Sequence, residues 1–275
     1  MPDITYPVEL TPPDIEPYRR GNTGVEYVTI FTADKPGPHV AVCALTHGNE
    51  ICGAVALDTL FRAGFRPRRG KVTLAFNNVA AYSEFDVRYP VASRYVDEDF
   101  NRLWSPETLD GPRQSTELAR ARALRPVVDA ADYLLDLHSM QHATAPLMLA
   151  GLLPKSRKLA QQVGIPELIM CDAGHAAGPR MRDYGGFGDA ASPKAALLIE
   201  CGQHWEHRAG EVAIDVTLRF LIATGAATVD DLAPLGGPDF AARPHQRVIE
   251  VTEAVTITDQ FEFVDDFRGL EVLPK

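Results

Sequence analysis

Short, nearly continuous apolar runs alternate along this chain with longer segments whose apolar residues recur every three or four positions. Val25–Thr32, His39–Thr46 and Lys71–Asn77 are runs of the first kind. Hydrophobicity on successive positions marks strands covered on both faces. Between the last two, Ile51, Val55, Leu57, Leu60 and Phe61 fall on one side of a helix predicted over Glu50–Ala63. The order strand, helix, strand predicts parallel pairing with a right-handed crossover. The alternation continues with a helix over Ser115–Ala131, a strand over Tyr133–Ser139 and a short apolar run over Pro146–Ala150. A helix over Lys155–Val163, strands over Glu167–Cys171 and Ala195–Cys201, and a helix over Glu206–Thr224 follow. The predicted fold class is α/β, a mostly parallel mixed sheet flanked by helices.

Three stretches break the rhythm. Residues 78–108 are polar, aromatic and arginine-rich without period, and long unstructured connections inside a domain are usually functional. Gly174–Ser192 is glycine-rich and carries Arg180, Arg182 and Tyr184, which predicts a mobile loop. Residues 233–246 (APLGGPDFAARPHQ) have the composition of a linker. They divide residues 1–235, the α/β domain, from a small C-terminal β segment, 236–275. Within the latter Arg247–Ile257 alternates β-branched residues, and Phe261–Val264 and Leu270–Leu273 predict further short strands. Because the last of these lacks a capping element, an incomplete β domain or a truncated chain is expected.

Composition narrows the partners. At 275 residues with 45% apolar and 23% charged content, the chain suits one large domain, or a large one with a small appendage. A net charge of −10 argues against a nucleic-acid or anionic-membrane surface. The acidic, proline-rich N-terminus has no signal-peptide design, and no run approaches the roughly 18 apolar residues of a membrane span. Cys43, Cys52, Cys171 and Cys201 have no paired spacing and sit in apolar segments, as buried thiols in a reducing compartment do. A cytoplasmic enzyme or binding protein is the default, and a homo-oligomer is compatible with it.

Chemistry collects at the ends of the apolar runs. His47 and Glu50 stand where a strand hands over to a helix, and open α/β sheets place ligands at strand carboxyl ends. The two side chains can face one cation. The plain alternative is a surface turn with a helix-start glutamate stabilised by the helix dipole. His138 ends the strand YLLDLHS and is either a satisfied core histidine or a third ligand. Asp136, two residues earlier on the same face, can fix a histidine's tautomer. Ligation by His47, Glu50 and His138 would leave a fourth position open, as in catalytic zinc sites. Glu200, in the apolar run LLIECG, either pairs with an arginine or acts as a general base with a raised pKa. In Ser93–Trp104, Arg94, Asn101 and Arg102 form a planar grip for a carboxylate, or else neutralise Asp97, Glu98 and Asp99.

Taken together and in this order, THGNE (Thr46–Glu50), RYVDEDFNR (Arg94–Arg102), DLHS (Asp136–Ser139) and IECG (Ile199–Gly202) resemble the aspartoacylase and succinylglutamate desuccinylase family of zinc-carboxypeptidase-like hydrolases. The motifs span about the first three quarters of the chain. The resemblance implies one zinc ion held by His47, Glu50 and His138, water activation by Glu200, and carbonyl polarisation by Arg94. It further implies that Asn101 and Arg102 bind the substrate carboxylate of an N-acyl amino acid. The family's additional arginine before the glutamate has two candidates here, Arg180 and Arg182. Neither spacing to Glu200 matches cleanly, and Arg182 is taken as the substrate-binding one. The family's C-terminal β domain is short here, which bears on selectivity. A carboxypeptidase acting on short peptides and a non-catalytic sensor of small acids are the rival readings.

Overall fold

The computed structural model describes residues 6–235, 240–255, 257–262, 264, 267 and 269–272. Eight strands form one sheet: β1 Val28–Thr32, β2 His39–Ala44, β3 Lys71–Phe76, β4 Tyr133–Met140, β5 Leu147–Leu149, β6 Leu168–Cys171, β7 Ala195–Gln203 and β8 Arg247–Glu250. Their spatial order is β1-β3-β2-β4-β7-β5-β6-β8. Strands β3, β2, β4 and β7 run parallel, while β1 joins β3 and β5 joins β7 antiparallel. This is the mixed α/β sheet the periodicity predicts. Its helices are α1 Cys52–Arg62, α2 Val79–Ser83, α3 Pro106–Leu109, α4 Thr116–Ala130, α5 Pro154–Val163, α6 His207–Ala223 and α7 Val229–Leu232.

Strand period explains where the core and the site lie. In β2, Val40, Val42 and Ala44 join the larger core cluster with Leu57, Leu60, Val216 and Phe220 of α1 and α6. Ala41 and Cys43 point the other way, into a cluster with Leu118, Leu124 and Val128 of α4. The same alternation sends Leu135 and Leu137 of β4, and Leu197 and Ile199 of β7, to the first face. Leu134 and Ala196 go to the second. Asp136 and His138 follow Leu134 in steps of two, and Glu200 follows Ala196 in the same way, so all three share the second face. His138 and Glu200 are register partners on adjacent parallel strands.

Strand β2 stops two residues before its apolar run ends. Buried Leu45 adopts a left-handed backbone (φ 58°), uncommon for a residue with a branched side chain. Its carbonyl accepts from Asn78 N at 2.8 Å, and the carbonyl of Ala44 accepts from Asn77 N at 2.8 Å. The kink turns Thr46–Glu50 out of the sheet plane at the place where β3 and β4 leave β2 on opposite sides, a topological switch point.

Two expectations change. The middle of Gly174–Ser192 is packed: it contains 3-10 turns at Met181–Asp183 and Gly185–Phe187, and Met181, Arg182, Tyr184 and Phe187 are buried, while residues 175–177 and 188–191 are exposed. Apolar side chains spaced among the glycines supply the anchors that glycine content alone conceals. Strand β8 pairs in parallel with β6 over Leu168–Cys171, so the first strand of the C-terminal segment extends this sheet. Only Arg247–Glu250 of the predicted Arg247–Ile257 forms it, and Thr256 lies outside the described residues. Residues 261, 262, 264 and 270–272 are not in strands, while Phe263 and Leu273 lie outside the described residues. All four cysteines are buried free thiols. No helix among the described residues is long and apolar enough to cross a membrane.

Candidate metal centre and active site

His47 and Glu50 come from the turn after β2, and His138 from the end of β4; all three are buried. One donor atom from each lies within 4.8 Å of the other two. Glu50 is the hub. Its Oε1 is 2.7 Å from His47 Nδ1 and its Oε2 is 2.8 Å from His138 Nδ1. Ser139 N donates to the same Oε2 at 3.2 Å. Each imidazole meets a further carboxylate through its other nitrogen: Asp99 Oδ1 lies 3.0 Å from His47 Nε2, and Asp136 Oδ2 lies 2.8 Å from His138 Nε2. Both Nδ1 atoms are thus directed to one focus by partners behind them, the orientation that metal-ligating histidines require. Two histidines and a carboxylate are a suitable donor set for a divalent ion of the zinc type, so the residues fit the metal that the sequence resemblance implies. Burial opposes charge on His138, yet Asp136 and Glu50 together hold its pKa well above the ordinary value, and Glu50 is held well below its own by the two histidines against burial. The place favours positive charge.

Arg94 closes one side. Its guanidinium reaches Glu50 Oε1 at 3.3 Å, His47 Nε2 at 3.1 Å and Asp99 Oδ2 at 3.2 Å. Gly48 makes this approach possible: its N–H donates to the Arg94 carbonyl at 3.1 Å. A Cβ at Gly48 would sit 2.4 Å from the carbonyl carbon of Ala81 and the carbonyl oxygen of Ser93. The loop itself hangs on Glu117 of α4, a buried carboxylate that accepts from the backbone N–H groups of Val96, Asp97 and Glu98 at 2.7–3.2 Å. Asp99 is held well below the usual carboxylate range by His47, Arg102 and Arg94 in spite of burial.

A cleft of about 370 Å³ opens over this group, bounded by His47, Glu50, Arg94, Asn101, Arg102, His138, Arg180, Glu200 and His204. Leu149, Leu198 and Met140 add apolar wall. Glu200 is partly exposed there, but its Oε2 is buried with no hydrogen-bond partner. Desolvation, reinforced by the charge of Glu50, pushes its pKa up to about 8. Asn101 is buried, accepting from Met181 N at 2.8 Å, with its amide nitrogen 3.4 Å from His138 Nε2. Arg102 donates to the Asn101 carbonyl at 2.7 Å and lies 3.9 Å from Asp99. A larger cleft of about 590 Å³ beside α6 has neither histidine nor cysteine in its wall.

The sequence expectation for Arg182 is corrected. Its guanidinium is buried beneath β5, donating to the Ala150 carbonyl and Asp183, and it does not border the cleft. Arg180 does. The 3-10 turn at Met181–Asp183 sends the two arginines to opposite sides, a local geometry that spacing to Glu200 cannot resolve. Two participants escape the sequence reading. Asp99 has the look of a counter-ion for its neighbouring arginines. His204, four residues beyond Glu200, is buried in the cleft wall with Nδ1 2.9 Å from Ser139 Oγ, and burial lowers its pKa to about 4. Its signal is a histidine following an otherwise apolar strand.

Comparison with known proteins agrees with this fold. Residues 36–224 match the family model of the succinylglutamate desuccinylase/aspartoacylase catalytic domain. An N-acyl-aromatic-L-amino acid amidohydrolase (carboxylate-forming) of Danio rerio is 31% identical over 115 residues, covering 36% of this chain and 34% of that protein. The chain therefore matches about a third of that relative's own length. A succinylglutamate desuccinylase/aspartoacylase structure from Rhodobacter sphaeroides superposes with a TM-score of 0.63 at 19% identity, covering 84% of this chain and 67% of the other. The product-bound ectoine utilization protein of Ruegeria pomeroyi gives 0.61 at 16%, with the same coverage. With strands β2 to β7 and His47, Glu50, His138 and Glu200 inside the matched residues, the chain belongs to the succinylglutamate desuccinylase/aspartoacylase family.

Proposed function

We propose that this chain hydrolyses the amide bond of an N-acyl amino acid, using a zinc ion held by His47, Glu50 and His138. The observation that carries the reading is the convergence of those three donors within 4.8 Å beside a carboxylate, Glu200, whose buried oxygen has no partner. Zinc, when bound, supplies a Lewis acid that acidifies water and polarises the scissile carbonyl. Glu200 takes the proton of the attacking water and passes it to the leaving amine. His138 and Arg94 favour the ionised form of Glu200 against the burial and the Glu50 charge that raise its pKa. Arg94, held over the cluster by Asp99, stabilises the developing oxyanion, a contribution of about 3–4 kcal/mol for one well-placed donor. Arg102 holds the substrate carboxylate, with Asn101 fixing the backbone beside it, so that the carbonyl meets the reacting groups in one orientation.

The family relationship and the name of the Danio rerio relative support the reaction class. The test is metal analysis of the purified protein together with turnover of a panel of N-acyl amino acids, with chelator and zinc add-back as controls. Stoichiometric zinc and chelator-sensitive release of free amino acid are expected. Cleavage of dipeptides in place of N-acyl amino acids would assign a carboxypeptidase, and ligand binding without turnover a sensor.

A further inference from the structure

Arg180 borders the cleft, but its charge is already answered. Nη1 donates to both carboxylate oxygens of Asp172, at 3.0 and 2.7 Å, and the two side chains are about nine-tenths buried together. Its neighbour Arg182 pairs with one oxygen of Asp183 at 2.7 Å. Arg180 and Asp172 therefore form an ion pair at the cleft, and Arg182 and Asp183 a second pair that does not border it. Arg102 differs. Its nearest partner is a neutral carbonyl, and the closest carboxylate, Asp99, is 3.9 Å away and shared with His47 and Arg94.

We propose that the Asp172–Arg180 pair sets substrate charge: the cleft accepts N-acyl amino acids with a single carboxylate and an uncharged side chain, and disfavours those carrying a second carboxylate. The physical reason is competition. A second carboxylate on the substrate gains from Arg180 only by sharing it with Asp172, which holds a like charge within 3 Å of the same nitrogen. Such an anion loses its hydration on entering the cleft and meets repulsion from Asp172, so it binds less well than a neutral group of similar size. The outward N–H groups of Arg180 have no other partner among the described residues, and they suit a neutral acceptor or an apolar side chain lying across the guanidinium plane. Leu149 and Leu198 line the same cleft and favour the second kind. This inference rests on the N-acyl amino acid reading above and specifies its substrate class.

The experiment compares N-acetyl-L-leucine with N-acetyl-L-aspartate on the zinc-loaded protein, by calorimetric binding to Glu200→Gln and by turnover of the unaltered chain. Preference for the leucine derivative by about tenfold or more is expected, the scale carried by one charged hydrogen bond. Asp172→Asn frees Arg180 and should narrow or reverse that ratio by a similar factor, while Asp172→Glu, which keeps the charge pair, should preserve it. Tighter binding of the aspartate derivative to the chain with Asp172 intact overturns the proposal. So does an Asp172→Asn ratio equal to the original, or failure of both ligands to bind at millimolar concentration. Should Asp172→Asn not fold, the ratio in the original chain decides alone. Selective binding of the leucine derivative with no turnover of either compound would sink the hydrolase reading and leave the charge rule standing, so the two failures are distinguishable.

Discussion

Asp136 Oδ2 lies 2.8 Å from His138 Nε2 while its other oxygen accepts the hydroxyl of Thr46 at 2.6 Å. The carboxylate is fully buried, and Thr46 is in turn bonded by the Asn77 amide at 2.9 Å, so the imidazole is fixed from behind by a chain of three side chains. Fixing Nε2 as the protonated nitrogen leaves Nδ1 as the one aimed at Glu50. Asp136→Asn removes the charge and loosens that assignment. The expected result is a roughly 10- to 100-fold loss of zinc affinity, the usual cost of removing such a partner, read by competition with a chromophoric chelator. Unchanged affinity would make Asp136 a packing residue only.

Glu200 predicts a different split. It is not among the three clustered donors, yet it stands in register with His138 on the adjacent strand. Glu200→Gln keeps size and polarity but cannot take a proton. Zinc content should stay at the level of the unaltered chain while kcat falls by roughly 10²–10⁴, the range of general-base catalysis. Loss of metal along with activity would place Glu200 in the ligand set instead.

The residues that the sequence makes legible share one property: they are polar groups terminating apolar runs. His47, Glu50, Asp136, His138 and Glu200 stand out because buried strands rarely carry such groups without cause, and period 2 then puts Asp136, His138 and Glu200 on one face. Strands β1 to β7 are readable for the same reason, to within three residues at their ends, whereas β8 ends at Glu250, well short of the predicted Ile257. What stays hidden depends on backbone geometry that side-chain type does not encode. Nothing about leucine announces the left-handed turn at Leu45 that ends β2 early. Nor does composition show that the glycine-rich stretch is anchored by Met181 and Phe187, or that one 3-10 turn aims Arg180 at the cleft and Arg182 at Ala150. Asp99 is hidden differently. Beside two arginines a carboxylate looks spoken for, and its bond to His47 joins residues 52 positions apart.

Arg102 is the guanidinium in the cleft with the fewest close acidic neighbours, its contact with Asp99 being 3.9 Å. Arg102→Ala should therefore weaken substrates bearing a free carboxylate by roughly 1.5–3 kcal/mol in kcat/KM, the value of a hydrogen bond to a charged group. The corresponding amides, which offer no charge, should lose far less. Equal losses on both series, measured with N-acetyl amino acids and their carboxamides, would make the side chain a support for the Asn101 backbone and nothing more.

Glu117 tests whether the loop bearing Arg94, Asp99 and Arg102 is held from outside the cleft. One buried carboxylate on α4 accepts three successive backbone N–H groups, from Val96, Asp97 and Glu98, and the Asn78 amide at 3.0 Å. Among the described residues those three N–H groups meet no other acceptor. Glu117→Gln turns one acceptor into a donor facing donors, leaving at least one partly buried N–H unsatisfied, at a cost toward the lower end of about 1–3 kcal/mol. Urea unfolding should register that loss. Because His47 and Glu50 come from the turn after β2 and His138 from β4, not from this loop, zinc content should hold while kcat/KM falls, with Arg94 and Arg102 no longer kept in one position. Should stability drop with kcat/KM unchanged, the loop would be positioned by the Gly48–Arg94 backbone bond instead, and Gly48→Ala would become the substitution that matters.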